Sequence, residues 1–443
     1  MESQDLAPDS EDRPPSQDEG FYVQDVDFRS GIVHDQTPAL MATVAALGGY
    51  VPPEPRGAFT YCDLGCGDGT TIIALASVFP EAELVGVDFN PGHVRKGREI
   101  AEACGLDNVR FVQTSFDELL AEDLPAFDYV AMNGAYAWLE EPLALAVREF
   151  LSERLKPGGL FYVEYTSLPG KVSVTPFWHL IQTLVPPEAG TDSRDRARRA
   201  LELTEKLEAR GMRYLEAHRP AAGGVQSYTK NWRTDPYRID HFAHNAMASG
   251  FRPRYFTEMF DEMAAAGLAY AGRTNLRLNW TDTSVPSAQV PSLLPYKSDL
   301  RTTELLKDYI RNEQQRRDVF VRADEANRES AREFLAEELR LLARRPADTI
   351  RRELVVQGGE RMPVEGEGVE ALIHAADQRA VTPREVAEQE DLPLERVRRS
   401  AMRLLATDQF FLCLEPSRPA PEAYPQLAGI EIPNPVNHHI LAR

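Results

Sequence analysis

A glycine-rich loop, "DLGCGDGT" at residues 63–70, contains the residues best suited to bind a ligand. Gly65, Gly67 and Gly69 alternate with other residues just before the helix-like "TIIALASVF", and glycine at these places lets the backbone approach a ligand closely. A dinucleotide-binding loop has the pattern GxGxxG, but Thr70 stands where its third glycine would be. Asp63 would repel a pyrophosphate and attract an ammonium group. The loop therefore predicts a nucleoside that carries a cation.

A second acid and two aromatic residues complete the predicted ligand site. Asp88 ends the next apolar strand, about 20 residues on, where a carboxylate can accept hydrogen bonds from both ribose hydroxyls. Phe89 beside it and Phe116 after the third strand are placed to sandwich an adenine ring. Together with Asp63 and the loop, these residues predict S-adenosylmethionine as the cofactor. A degenerate domain of the same fold without a cofactor is the alternative.

Polar and aromatic residues follow the fourth predicted strand, where the reactive methyl group of that cofactor would point. They are Asn133, Tyr136 and Trp138, and ligands of open α/β sheets bind at this edge. Methyl transfer needs an aligned, unprotonated nucleophile rather than a metal. Asn133 can accept from an amine N–H, and Tyr136 or Trp138 can face a cation with a π surface. Packing against the next helix is the alternative for both aromatic residues.

Five apolar strands alternate with helical stretches and are expected to position these residues. Such alternation predicts an α/β fold with a mostly parallel, doubly wound, Rossmann-like sheet, which we expect over residues 58–175. The predicted strands are "FTYCDLG", "AELVGVDF", "NVRFVQTS", "FDYVAMNG" and "GGLFYVEY".

The rest of the chain divides by composition into flanking segments. Residues 1–20 are predicted to form a disordered acidic tail, and residues 21–57 a lid and a helix. Residues 176–281 are expected to form a helical insertion, and residues 282–345 a linker, "TDTSVPSAQVPSLLP", with further helices. In residues 346–443, two helices joined by "DLP" and followed by "FFLCL" predict a winged-helix-like domain.

Charge and cysteine usage limit the class of protein and its partners. A net charge of −20 opposes binding to nucleic acid, and no apolar run reaches the ~18 residues of a membrane span. The acidic N-terminus does not have the pattern of a signal peptide. The four cysteines form no CxxC pair or metal-ligand spacing, which favours reduced thiols, no bound metal and a cytoplasmic location.

The motifs "DLGCGDG", "VGVDFNP" and "LKPGG" resemble those of the class I S-adenosylmethionine-dependent methyltransferases. The resemblance implies that Asp63, Gly65, Cys66 and Gly67 contact the methionine part of the cofactor, and that Asp88 holds the ribose. Where the family often has an Asp that binds the adenine amino group, this sequence has Ser115. A serine hydroxyl can still serve that contact.

A narrower resemblance covers most of the chain. "FDYVAMNGAYAWL" and "FAHNAMASGFRPRYFTEMFDEMAAAGL" are similar to a bacterial subgroup with a methyltransferase regulatory domain, which includes protein-lysine methyltransferases of outer-membrane proteins. The chain departs from that pattern at two places. The histidine after strand four is Asn133 here, and a downstream His-Glu pair is His244-Asn245.

In this family the segment before the fold closes over the cofactor. The resemblance therefore makes Tyr22, His34 and Gln36 candidates for closing the site, with Tyr22 and Gln36 near the substrate. His34 is also a candidate general base because its ordinary pKa lies near 6.5, although a solvated loop histidine is the alternative. His179, His241 and His244 are candidates for shaping the substrate site or for a structural role, and Asn133 is expected near the cofactor as well.

The sequence thus predicts a methyltransferase whose acceptor is an amine, with a protein lysine implied by the resemblance. A small-molecule methyltransferase acting on a thiol, amine or hydroxyl is the first alternative. A regulator that binds S-adenosylmethionine without catalysis is the second. The helical additions are expected to shape the acceptor pocket or to form a homodimer interface.

Overall fold

The computed structural model of the chain describes residues 23, 25–26, 31–187, 191–218, 231–248, 250–323, 325–377 and 379–414. The predicted acidic tail and Tyr22 lie outside these residues.

One sheet in the described part of the chain has seven strands in the order β3-β2-β1-β4-β5-β7-β6. The first five strands pair in parallel, and β7 runs antiparallel between β5 and β6. This arrangement confirms the predicted doubly wound α/β sheet. The strands are β1 (Thr60–Leu64), β2 (Glu83–Asp88), β3 (Val109–Gln113), β4 (Phe127–Asn133), β5 (Leu155–Thr166), β6 (Ala269–Arg273) and β7 (Gln315–Val321).

Helices cover both faces of the sheet and extend beyond it. Several begin with a proline in their first turn, where the missing N–H costs nothing, as at Pro38 and Pro91. The helices are α1 (Pro38–Gly48), α2 (Thr70–Val78), α3 (Pro91–Ala103), α4 (Glu141–Arg154), α5 (Val174–Leu184), α6 (Ser193–Ala209), α7 (Arg213–Ala217), α8 (Pro236–Ala246), α9 (Phe256–Ala265), α10 (Thr281–Ser284), α11 (Val290–Leu293), α12 (Leu300–Arg311), α13 (Arg328–Glu337), α14 (Glu367–Ala375), α15 (Pro383–Gln389) and α16 (Leu394–Ala406).

Apolar cores lie on opposite faces of the sheet. Met41 of α1 and Ile73 of α2 pack on one face, whereas Phe150 of α4 and Met259 of α9 pack on the other. Burial on both faces explains why the central strands are almost continuously apolar. The packed sheet therefore holds its carboxyl edge, where the predicted site residues lie, in a fixed position.

The helical insertion has a core of its own. Phe177, Trp178, Leu201 and Phe242 from α5, α6 and α8 pack together, as the helical pattern predicts. The two segments are not purely helical, however, because β6 lies inside residues 176–281 and β7 inside residues 282–345. The domain boundaries stay predictions.

The strand β7 is missed by sequence analysis because its polar residues are paired inside the protein. In "QRRDVFV", Arg316 Nε donates to Asp318 Oδ2 at 2.8 Å, and both side chains are fully buried. A strand with two internal charges does not show the apolar alternation that predicts a strand.

The C-terminal unit contains the two predicted helices, α15 and α16, with α14 before them. The predicted strand is also present as β11 (Phe410–Cys413), and it pairs antiparallel with β8 (Arg340–Ala343). Two short strands, β9 (Glu353–Val355) and β10 (Arg361–Pro363), form a separate hairpin. The winged-helix assignment stays a prediction.

None of the helices in the described ranges combines the length and apolar character needed to cross a bilayer.

Candidate active site

A cavity of about 1180 Å³ lies at the carboxyl ends of β1, β2, β4 and β5. The glycine loop forms one end, and the segment of residues 31–36 forms a wall. Residues from β5, β7 and α8 line the other end. The sheet edge, the N-terminal segment and the helical insertion thus enclose one continuous space.

The glycine loop adopts the backbone conformation that its sequence predicts. Gly65, Gly67 and Gly69 all have positive φ angles, of 73°, 58° and 73°, which other residues rarely adopt. A Cβ added at Gly67 would meet no atom within 4 Å, so it would extend into the cavity. Cys66 also lines the cavity. The backbone is therefore open to close contact with a ligand.

Asp88 lies at the end of β2 and is tied to the loop. Its Oδ2 accepts from the backbone N–H of Gly67 at 2.8 Å, and its Oδ1 accepts from that of Asn90 at 2.9 Å. The carboxylate has further lone pairs available, and the residue lines the cavity. These contacts hold a hydrogen-bond acceptor at the wall of the cavity.

Asp63 is almost fully buried, and its Oδ2 accepts from Gln36 Nε2 at 3.0 Å. Burial raises the pKa of Asp63 to about 7; Gln36 opposes this shift and the charge of Asp88 adds to it. Gln36 is also buried, and its Oε1 has no hydrogen-bond partner among the described residues. Both residues line the cavity and present acceptors to a cationic donor.

Three residues were predicted to bind the adenine of the cofactor. Phe89, Ser115 and Phe116 all line the cavity. The Phe116 ring approaches Gly65, since a Cβ added there would lie 3.7 Å from Phe116 Cζ. The roles of these three residues toward a nucleoside stay predictions.

Asn133 and Glu164 lie side by side at the ends of the paired strands β4 and β5. Asn133 Oδ1 accepts from the Tyr162 hydroxyl at 3.0 Å, and both Asn133 and Glu164 line the cavity. Burial raises the pKa of Glu164 to about 7; Arg317 opposes this shift, Asp35 adds to it, and the Gly134 backbone N–H lowers it. The site therefore contains a carboxyl group that titrates near neutral pH.

Tyr136 does not reach the cavity, so its predicted catalytic and substrate roles are corrected. The residue is fully buried, its hydroxyl donates to Glu262 Oε2 at 2.7 Å, and Arg148 Nη1 donates to it at 3.2 Å. Trp138, in contrast, lines the cavity and packs on Phe251 with ring centroids 4.6 Å apart.

Two of the histidines singled out from the sequence, His34 and His244, line the cavity from different elements. His34 lies in a short 3-10 helix, His34–Gln36, on the N-terminal wall. His244 is buried in α8 on the opposite wall. The fold therefore brings the N-terminal segment and the helical insertion to the same site, although they are about 200 residues apart in the chain.

Several further residues of the cavity were not predicted, among them Glu164, Lys171 and Arg317. Glu164 left one signal, an acid inside the apolar run "FYVEYT". Lys171 and Arg317 left none, because they enter the cavity only through the packing of separate elements. His241, a candidate from the sequence, lines the cavity as well.

Two of these residues have altered basicity. Burial lowers the pKa of Lys171 to about 8. Burial, with the positive charges of Arg238 and Lys171, lowers the pKa of His241 to about 4. An amine or imidazole at this end of the cavity therefore loses its proton more readily than in water.

Over the described ranges, no cluster of three or more His, Cys, Asp or Glu residues is arranged to hold a metal ion.

Family comparisons agree with this geometry. Residues 56–204 match the family model of a methyltransferase domain, and residues 240–322 match that of a predicted methyltransferase regulatory domain. The two matches confirm the resemblance seen in the sequence. They also confirm the predicted enzyme class for the first domain, that of the S-adenosylmethionine-dependent methyltransferases.

Individual relatives cover different parts of the chain. An uncharacterized protein of Synechocystis sp. is 30% identical over 305 residues, which are 68% of this chain and 58% of that protein. A trans-aconitate 2-methyltransferase of Deinococcus radiodurans is 34% identical over 131 residues, 30% of this chain and 46% of that enzyme. The chain thus spans about half to three-fifths of the length of these relatives.

A solved structure shares the fold over most of the chain. PKMT2 from Rickettsia typhi in complex with AdoHcy superposes with a TM-score of 0.63 at 17% identity. The likeness covers 88% of this chain and 78% of that one. It therefore extends beyond the methyltransferase domain to the helical and C-terminal parts.

Proposed function

Because the chain joins a methyltransferase domain to a methyltransferase regulatory domain, we propose that it transfers a methyl group from S-adenosylmethionine to an amine, with a protein lysine as acceptor. The observation that carries the proposal is one cavity with Asp63 and Asp88 at one end and Asn133 and Glu164 at the other. Its volume of about 1180 Å³ exceeds the roughly 300–1,000 Å³ of an ordinary ligand pocket. A cofactor and an acceptor side chain therefore fit together.

The residues at the first end fit the cofactor. The unpartnered Oε1 of Gln36 and the carboxylate of Asp63 can accept from an ammonium group. Asp88 can accept from ribose hydroxyls, and the open space at Gly67 admits a molecule against the backbone. The cofactor supplies a methyl group that is already activated by a sulfonium, so the protein needs to align the acceptor and remove its proton.

The residues at the second end suit an amine. An ammonium has no lone pair, so it must lose a proton before it can attack. Lys171 has a pKa of about 8 in this cavity, whereas a lysine in water has a value near ~10.4. An acceptor lysine beside it would be deprotonated more easily for the same reason. Glu164 can then take the proton, and Asn133 Oδ1 can accept from the remaining N–H.

The lysine acceptor rests on two supports. The sequence resembles the subgroup that includes protein-lysine methyltransferases, and the likeness to PKMT2 covers 88% of this chain. A small-molecule methyltransferase is the second candidate, because the Deinococcus trans-aconitate 2-methyltransferase matches part of the methyltransferase domain. That match covers 30% of this chain and 46% of the relative, so it supports this candidate less broadly.

A turnover screen tests the proposal. The purified chain receives S-adenosylmethionine with an unfolded outer-membrane protein, with the same protein after complete lysine acetylation, or with free amines, phenols and thiols, and S-adenosylhomocysteine is measured. We expect turnover with the unmodified protein and none with its acetylated form. Turnover only with a small molecule would favour the second candidate. Cofactor binding without turnover in any arm would instead favour a regulator.

A further inference from the structure

A second cavity, of about 360 Å³, lies at the C-terminal end of helix α1, outside the candidate active site. Ala46 and Leu47 of α1 form one wall and Trp280 another, and α13 and α16 supply most of the rest. Among the described residues its lining carries a strong excess of positive charge, with a single acid, Asp282. The basic residues of the lining are Arg328, Arg332, Arg398, Arg399 and Arg403.

The charge of this basic pocket is mostly not balanced by the protein. Glu395 pairs with Arg398 at 2.6 Å and lies 3.9 Å from Arg399, so one carboxylate serves two guanidinium groups. The other three arginines have no ion pair within the described part of the chain. The lining thus gathers positive charge in a protein whose net charge is −20.

The helical spacing makes this arrangement costly when the pocket holds no anion. Arg328 and Arg332 lie four residues apart on α13, and Arg399 and Arg403 lie four residues apart on α16. Like charges at this spacing repel each other on one helix face. An anion between the two helices would attract all four arginines and so offset both repulsions.

Neighbouring arginines of the same region show the opposite pattern. Arg384 pairs with Glu333 at 2.8 Å, Arg396 with Glu367 at 2.5 Å and Arg352 with Glu370 at 2.9 Å. These three neighbouring arginines are therefore neutralised, whereas three arginines of the pocket share one concave space without an ion pair among the described residues. A long polyanion such as DNA needs an extended basic face, so the geometry favours a small ligand.

We infer that this basic pocket binds a small molecule that carries two or more phosphate groups. Guanidinium groups present planar pairs of N–H donors that match phosphate oxygens. The half-buried Trp280 ring offers an apolar surface to the rest of such a ligand. The pocket is separate from the candidate active site, and none of its lining residues belongs to that site.

Titration calorimetry with inorganic pyrophosphate tests this inference on the full chain. We expect one-to-one binding that weakens as salt rises. Arg332→Gln and Arg403→Gln should each weaken it at least about tenfold, the usual effect of losing a charge-assisted hydrogen bond. Arg345→Gln is the matched control, since Arg345 is exposed in the same region but lies outside the pocket.

Thermal melting and competing anions test the same pocket in a different way. Pyrophosphate should raise the melting temperature of the wild type but not of the two pocket variants, which themselves should melt no lower than the wild type because a like-charge repulsion is removed. No binding, or equal binding by the variants, would overturn the inference. Tighter binding of citrate would exclude the phosphate class, and tighter binding of a short DNA duplex at the same arginines would replace it with a nucleic-acid site.

Discussion

Replacing Glu164 by Gln is expected to lower activity and raise stability at the same time. Glutamine keeps the shape of the side chain and can still accept from the backbone N–H of Gly134, but it can neither ionise nor take a proton. If Glu164 is the proton acceptor, kcat/KM should fall about 100-fold, within the usual range for a general base. The wild-type rate should rise as pH increases through about 7, where Glu164 ionises, and the variant should lose the part of that rise that Glu164 causes.

The stability effect follows from the same pKa. Glu164 is 5% exposed, and burial moves its pKa from an ordinary 4.5 to about 7. An acid with a raised pKa stabilises the fold fully below pH 4.5, and that contribution is lost as pH rises through about 7. The difference between the ordinary pKa of 4.5 and the value of about 7 in the fold corresponds to about 3 kcal/mol of folding stability. Above about pH 8 the Glu164→Gln variant should therefore be more stable by up to about 3 kcal/mol, and near pH 4 the two proteins should be similar.

Urea denaturation of both proteins at several pH values, together with pH-rate profiles, checks this prediction. Because Asp63 also titrates near 7, the difference between the proteins, rather than either curve alone, isolates Glu164. Glu149→Gln, an exposed substitution on α4, is the matched control and should change neither quantity. A variant that loses stability at pH 8, or keeps its pH inflection with full activity, would show that Glu164 is a structural residue.

Three other substitutions test separate parts of the site. Asp88→Ala should weaken S-adenosylmethionine binding by about 1–3 kcal/mol, the usual cost of losing hydrogen bonds to a charged group; unchanged affinity by calorimetry would remove Asp88 from the site. Gly67→Val should abolish that binding, since φ is 58° there and the added side chain enters the cavity; equilibrium dialysis at several cofactor concentrations measures it. Tyr136→Phe should leave kcat within about threefold. It should lower the free energy of unfolding by about 1–3 kcal/mol, because Glu262 loses its hydrogen bond from the Tyr136 hydroxyl. A large loss of kcat at unchanged stability would instead show that Tyr136 takes part in catalysis.

Local sequence was enough to predict the glycine-loop end of the cavity. The glycines at 65, 67 and 69 are needed because the backbone takes a positive φ at each of them, and this requirement is visible in the residue types themselves. Asp88 was predicted because it is the last residue of β2, and ligands of open α/β sheets bind where the strands end. Strands β1 to β5 were also predicted, since burial on both faces demands continuous apolar runs.

The residues at the acceptor end of the cavity could be predicted only in part from the sequence. Asn133 follows a predicted strand, and it lines the cavity as expected. Tyr136 follows the same strand three residues later, yet it points to a buried cluster with Glu262 and Arg148. The direction of a side chain after a strand depends on the turn and on the charges packed beside it, and those charges come from distant elements.

The sequence by itself determined the five parallel strands, the glycine loop and the class of ligand. The strands follow from short apolar runs, and the loop and its ligand follow from the positions of glycine and acidic residues. Only the tertiary structure decided which other residues share the cavity. Glu164, Lys171 and His241 come from a strand, a loop and a helix that meet through packing, and their altered pKa values arise from burial that no local pattern encodes. Tertiary structure also explains why β7 was not predicted. Its charged residues Arg316 and Asp318 pair with each other inside the protein, but in the sequence they resemble residues of an exposed segment.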